Sequence, residues 1–234
     1  MDNITYQEQF LVKSSEVNSK QELSLSGLLK IFQNLAVSGS TCVGAGKDKT
    51  LDKGYLWVFS KLEIDIYRMP KYLETINLIT YPNEIMHYIY PRTFIIKDLN
   101  DNVLVEGKSI WCLINENTRK IALPKETGIT YNSCYKAKRI SNIEIKDIKL
   151  LEKREVKYTD IDLNKHLNNT KYLDYILDLY PSTFYQNNNF KRINMVFHQE
   201  VKEGDLLEIW GSIDNSYYQF RLGDNKVFEC NIEY

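Results

Sequence analysis

Asp162, Asn164 and His166 stand two residues apart in the run YTDIDLNKHLNNTKYLDYILD. If that segment is extended, its period of two projects an acid, an amide and an imidazole from one face. Ile161, Leu163 and Leu167 then occupy the other. An amphipathic helix follows at once, and the first N–H groups of a helix have no partner within it. Such N–H groups are good donors to a developing oxyanion. An acid, an amide, an imidazole and free N–H groups are the parts needed for general acid–base attack on a carbonyl. The same residues also have structural uses: Asn168, Asn169 or Thr170 can cap the helix, and Asp162 can turn the chain.

The elements that must position this set come from an internal repeat. Shifted by 144 positions, residues 12–33 fall on 156–177 without a gap, matching Val12 with Val156, Leu23 with Leu167 and Leu29 with Leu173. Shifted by 131, residues 62–78 fall on 193–209, and Leu62, Ile64 and Ile66 alternate as Ile193, Met195 and Phe197 do. Two matched blocks in the same order argue for a duplicated unit of roughly 100 residues. In the first copy Leu25, Leu28, Leu29, Phe32, Leu35 and Ala36 form a helical stripe that Gly39 is expected to end. In the second, Tyr172, Leu173, Ile176, Leu177 and Tyr180 do so before Pro181.

Alternating runs then read as strands over 62–67, 75–80, 93–97, 103–113, 193–197, 206–210, 217–222 and 227–232. One helix followed by antiparallel strands, twice, is an α+β architecture with each sheet packed on its helix. Residues 1–128 are expected to form the first unit and 129–234 the second, with the aperiodic stretch 115–139 connecting them.

The repeat also sharpens the chemistry. Where the second unit has Asp162, Asn164 and His166, the first has Asn18, Lys20 and Glu22, so the helix does not need the triplet for capping. Glu200, at the end of the run 193–197, aligns with Met69. A carboxylate where the sister unit accepts Met is either solvent-facing or a reacting group.

Little else in the chain suggests chemistry. The four cysteines and three histidines are dispersed without close pairs, so no metal site or cofactor is expected. The stretch GSTCVGAGKDKT misses the spacing of a phosphate loop and follows a helix instead of a strand. With 30 Lys+Arg against 31 Asp+Glu, the chain lacks the excess positive charge of a nucleic-acid binder. No apolar run is long enough for a transmembrane helix, and the N-terminal residues show no targeting pattern, so a cytoplasmic location is expected.

The run YTDIDLNKHLNNTKYLDYILD resembles the signature D-x-N-x-H followed by N-N-x-x-Y of acyl-acyl carrier protein (acyl-ACP) thioesterases. That family is similarly a tandem of two hot-dog units, each an antiparallel sheet wrapped around a central helix. The resemblance implies hydrolysis of fatty acyl thioesters on acyl carrier protein, with an acyl-CoA hydrolase or a non-catalytic acyl-binding module as the alternatives. It places Asp162, Asn164 and His166 at catalytic positions. FHQEVKEGD resembles the strand that carries the family's catalytic Glu, here Glu200. Plant members have Cys directly after that Glu, whereas this chain has Val201, so a carboxylate, not a thiol, is expected to act.

The resemblance further implies that the first unit shapes the acyl slot, with Leu28, Phe32 and Trp57 as candidate lining residues, and that the protein can pair as a homodimer. Acyl carrier proteins are acidic. Residues 119–139 carry six basic side chains against one Glu, so Lys136, Lys138 and Arg139 are candidate docking residues.

Overall fold

The structure is a computed structural model that describes residues 4–234; the first three residues of the expected first unit lie outside the described residues. Ten strands form one antiparallel sheet. In the first half these are β1 (Tyr6–Leu11), β2 (Tyr55–Ile66), β3 (Thr75–Pro82), β4 (Tyr90–Lys97) and β5 (Val103–Asn115). In the second they are β6 (Ile148–Glu155), β7 (Arg192–Phe197), β8 (Leu206–Ser212), β9 (Tyr217–Leu222) and β10 (Asn225–Glu233). The spatial order is β1-β3-β4-β5-β2-β7-β10-β9-β8-β6, so each half contributes five contiguous strands. Helix α1 (Leu25–Cys42) packs on the first half-sheet, α2 (Pro124–Thr127) is a single turn in the connection, and α3 (Asn169–Leu177) and α4 (Ser182–Asn187) belong to the second half. This is the α+β tandem hot-dog arrangement, its two sheets fused edge to edge.

The apolar stripe of α1 is buried from Leu25 to Ala36, and Tyr172, Leu173 and Ile176 bury the matching stripe of α3. Both stripes join one core with the inner face of the sheet. Burying such side chains is worth about 1.5–3 kcal/mol each, which is what holds short helices in place.

The repeat is visible bond by bond. Val12 N–H donates to Glu74 O at 3.0 Å, and Val156 N–H to Asp205 O at 2.9 Å. Leu23 N–H donates to Pro70 O, and Leu167 N–H to Val201 O, both at 2.7 Å. A short 3-10 turn sits at Ser14–Glu16 and again at Tyr158–Asp160, its last carboxylate accepting the N–H of Lys13 or Lys157. At the seam β2 pairs with β7, and the repeat-equivalent residues Glu63 and Asn194 face each other. A pseudo-twofold axis therefore passes through that pair.

The seam is short. Pairing of β2 with β7 begins at Lys61, just past a bulge after Phe59, and β7 ends at Phe197. Residues 55–59 of β2 are thus paired on one edge only, and the sheet opens beside Trp57 and Phe59.

Several elements differ from the sequence expectation. Gly39 does not end α1, which continues to Cys42. It is instead the position where Arg92 crosses the helix: an added Cβ would come within 2.9 Å of Thr80 Cγ2 and 3.3 Å of Arg92 Cζ. Pro181 does not stop the second helix, which ends at Leu177; it caps the start of α4. The edge strands β1 and β6 carry too many polar residues to show the alternating apolar pattern of a strand. The connection from 116 to 147 is tied to both halves: Asn83 Nδ2 donates to Lys136 O at 3.1 Å and Tyr135 stacks on Tyr81, whereas Asn231 Nδ2 donates to Glu144 O at 2.9 Å and Lys146 Nζ to Asp214 at 2.6 Å. No helix of the structure is long and apolar enough to cross a membrane.

Candidate functional site

The segment 161–167 is not extended. Ile161 and Leu167 form an isolated β-bridge, Lys165 has a φ of 64°, and the chain between them turns. Asp162 Oδ1 accepts the N–H groups of Asn164 at 2.8 Å and His166 at 3.2 Å, so this carboxylate builds the turn. Leu163, expected on an apolar face, is 85% exposed. The sister loop is the same turn: Asn18 Oδ1 accepts the N–H groups of Lys20 at 2.8 Å and Glu22 at 3.2 Å, and Gln21 has a φ of 59°. The turn therefore needs only an Asx oxygen at its first position. Asn164 and His166, not Asp162, are the side chains the second copy has released from that framework. Asn168 caps α3 by accepting the Thr170 N–H at 3.0 Å.

Glu200 is not on the strand. It lies three residues past the end of β7, in the loop that leads to β8. The loop carries it over the opening, where its Oε2 lies 3.3 Å from His166 Nε2. Its Oε1 forms an ion pair with Arg119. Val201, by contrast, is fully buried, its backbone held by Leu167. Arg119 comes from the turn after β5, 81 residues away in sequence, where the pattern shows it only as one of the basic residues of the connection. His198 belongs to a different cluster, with its Nε2 2.8 Å from Glu229.

Two cavities meet at the opening in the sheet. The smaller, about 350 Å³, is lined by His166, Glu200, Arg119, Asn164, Tyr172 and Phe197 among others. The larger, about 470 Å³, runs between the C-terminal half of α1, β2 and β4, past Ala36, Val37, Tyr90 and Trp111. Trp57, Phe59, Asp162, Asn164 and Asn169 line both, so the two spaces adjoin. The pseudo-symmetric counterpart in the first half is a cleft of about 330 Å³ beside Lys20, Glu22 and Met69. There Lys20 pairs with Glu22 at 3.6 Å and donates to Asn189 at 2.6 Å. That cleft has no imidazole and no carboxylate from the post-strand loop.

The expected lining residues divide. Trp57 sits at the junction, with its ring edge-on to Tyr90 at 4.9 Å between centroids. Leu28 is fully buried in the core and lines neither cavity. Phe32 stacks on Phe94 at 4.5 Å and lies flat on Gly107, where a Cβ would come within 2.8 Å of its ring. Leu28→Ala is therefore expected to cost about 2–5 kcal/mol of stability in a denaturant titration. Trp57→Ala, at the junction, should instead enlarge the space shared by the two cavities.

The expected docking residues Lys136, Lys138 and Arg139 are all exposed. Lys138 pairs with Glu106, whereas Lys136 and Arg139 make no ion pair among the described residues. Arg92 stands out in the larger cavity: burial pulls its guanidinium down to about 10. Sequence reasoning had no signal for it.

Family models for the acyl-ACP thioesterase N-terminal and C-terminal domains match residues 3–127 and 143–228. A solved acyl-ACP thioesterase from Bacteroides thetaiotaomicron is 25% identical, with a TM-score of 0.86 over 99% of this chain and 98% of that one. The 12:0-ACP thioesterase from Umbellularia californica, at 17% identity, shares the fold with a TM-score of 0.83 over 98% of this chain and 96% of its own. An acyl-[acyl-carrier-protein] hydrolase of Cuphea viscosissima is 23% identical over 97% of this chain and 58% of its own length. An oleoyl-acyl carrier protein thioesterase of Coriandrum sativum is 24% identical over 88% of this chain and 62% of its own. This chain thus spans about three-fifths of the curated relatives it matches. Two family models in order, covering both halves of the fused sheet, establish that this chain belongs to the acyl-ACP thioesterase family.

Proposed function

We propose that this protein hydrolyses fatty acyl thioesters carried on acyl carrier protein, releasing the free acid and so ending chain elongation. The observation that carries this reading is the adjacency of two cavities with shared walls, one bordered by apolar side chains and the other by the His166–Glu200 pair. The acyl chain enters the larger space. The thioester carbonyl then rests at the junction, near Asn164 and the first turn of α3.

The Asn164 amide and the Asn169 N–H, which remains after Asn168 takes that of Thr170, are the donors for the oxyanion. Losing one such donor typically costs about 3–4 kcal/mol of barrier. Glu200 accepts the proton of the attacking water and passes it through His166 beside it to the departing pantetheine thiolate, which returns both side chains to their starting state. Arg119 fixes one carboxylate oxygen, leaving the other toward His166. Asp162 positions Asn164 and His166 through their backbone N–H groups.

Incubating the purified protein with a panel of acyl-ACP and acyl-CoA thioesters and measuring released fatty acid tests the reading. Release from acyl-ACP at higher kcat/KM than from acyl-CoA is the expected result. Tight binding of acyl-ACP with no release would make the protein a binding module instead.

Carrier docking is assigned to the basic connection. Charge reversal at Lys136 and Arg139, which breaks no internal ion pair, should raise the apparent KM for acyl-ACP and flatten its dependence on salt. Unchanged KM and salt dependence would remove these residues from the docking surface.

A further inference from the structure

Arg92, Tyr90 and Phe94 alternate along β4 and so share its inner face. Phe94 meets Phe32 of α1 and Tyr90 meets Trp57, and between them the Arg92 side chain is only 6% exposed. Its guanidinium reaches two neutral hydroxyls, Thr80 Oγ1 at 3.2 Å and Ser40 Oγ at 3.4 Å. Among the described residues it forms no ion pair. The C-terminal turn of α1, where Ser40 lies, offers at most about half an elementary charge. A buried cation without a counter-charge is costly, and native structures rarely keep one without a use.

Two further polar groups of side chains at the same cavity are buried without a well-formed hydrogen bond among the described residues. The Trp57 indole Nε1–H is buried with no acceptor. The Tyr90 hydroxyl is buried with no hydrogen bond. Its nearest polar neighbour is the Thr127 hydroxyl, which donates to Pro124 O and accepts from the Ile129 N–H. All three side chains line the larger cavity. A slot built only for a saturated hydrocarbon would gain nothing from them and would bear their desolvation cost.

We propose that the acyl slot is made for a chain that carries an oxygen acceptor, a carboxylate or hydroxyl, which accepts from Arg92. The proposal rests on the thioesterase reading for the delivery of such a chain, but the recognition itself is a property of the cavity. The phosphate of a pantetheine arm is a poor alternative occupant, because Arg92 is buried among aromatic side chains behind α1. A hydroxyl would accept from the guanidinium, and a carboxylate would also neutralise it.

The recognition can be read without turnover. The intact protein is titrated calorimetrically with three neutral-headed probes of equal chain length: the methyl ester of a fatty acid, its ω-hydroxy counterpart, and the monomethyl ester of the dicarboxylic acid. The series is repeated over several lengths to locate the oxygen along the slot. At the matching length an oxygenated probe should bind at least about tenfold more tightly than the plain ester, since a site with buried donors rejects an analogue that leaves them unpaired. The hydroxy and carboxy arms distinguish the two acceptors.

Arg92→Met should reverse the order of affinities, and the same reversal should appear in the kcat/KM ratios of the corresponding acyl-ACP substrates. Plain esters that bind as tightly as oxygenated ones at every length would overturn the proposal from the parent protein alone, even if Arg92→Met failed to fold. An Arg92→Met variant that folds and weakens all three probes equally would also overturn it. If no thioester were hydrolysed while the binding order held, the thioesterase reading would fail and this recognition would stand.

Discussion

Glu200→Gln is expected to lower kcat on acyl-ACP by about 100-fold or more, with a folded protein that still binds the carrier. Gln keeps the shape of Glu and can still accept from Arg119, but it cannot take a proton from water. Glu200→Ala should be at least as slow. The side chain is 38% exposed in a loop after β7, so neither substitution leaves a cavity in the core. Val201→Cys should change little: the side chain at 201 is fully buried, so a thiol there would face the core while the carboxylate next to it reaches the cleft. If purified Glu200→Gln hydrolysed acyl-ACP at near the parent rate, the carboxylate would not be the base.

Residue pattern alone revealed the framework better than the site. The stripes of α1 and α3 and the alternating strands are local features, fixed by a period of 3.6 or 2 that the sequence displays directly. Both copies of the repeat bury Val12 and Val156, and Leu23 and Leu167, through equivalent backbone bonds. Two local inferences still failed for physical reasons. Gly39 resembles a helix stop in sequence, yet it is the place where a guanidinium crosses the helix. The apparent alternation of Asp162, Asn164 and His166 suggested an extended strand, although Asp162 bends the chain by accepting two backbone N–H groups. An Asx turn and a short strand can share a sequence pattern, and only the hydrogen bonds separate them.

The remaining errors concern contacts between distant parts of the chain. Arg119 and Glu200 meet across 81 residues, and neither has a local feature that announces the other. The burial of Arg92 could not be seen either, since an arginine in an alternating strand ordinarily points to solvent. Leu28 and Phe32 lie on the helix that borders the slot but line neither cavity. The slot in fact opens toward the C-terminal half of that helix, where Ala36 and Ser40 leave room. Periodicity says which face is buried but not where along it a cavity begins.

The same turn in both halves makes His166→Ala a clean experiment. The backbone of His166 is held on both sides by Asp162: its N–H donates to Oδ1 at 3.2 Å and its carbonyl accepts the Asp162 N–H at 2.8 Å. In the first half Glu22 occupies the corresponding position with the corresponding bonds, so the turn tolerates a different side chain there. His166→Ala should therefore keep the fold, retain carrier binding and lower kcat by about 100-fold or more, the usual scale for a positioned acid–base group. The 3.3 Å contact between His166 Nε2 and Glu200 Oε2 makes a stronger demand on the double variant. If the two side chains act as one proton-handling unit, then His166→Ala combined with Glu200→Gln should be little slower than the worse single variant, because residues that act together lose their effect together. Single-turnover rates on one acyl-ACP for the parent, both singles and the double would measure the coupling. Multiplicative losses would mean that imidazole and carboxylate act independently, and Glu200 would then have to take the proton from water without help from its neighbour.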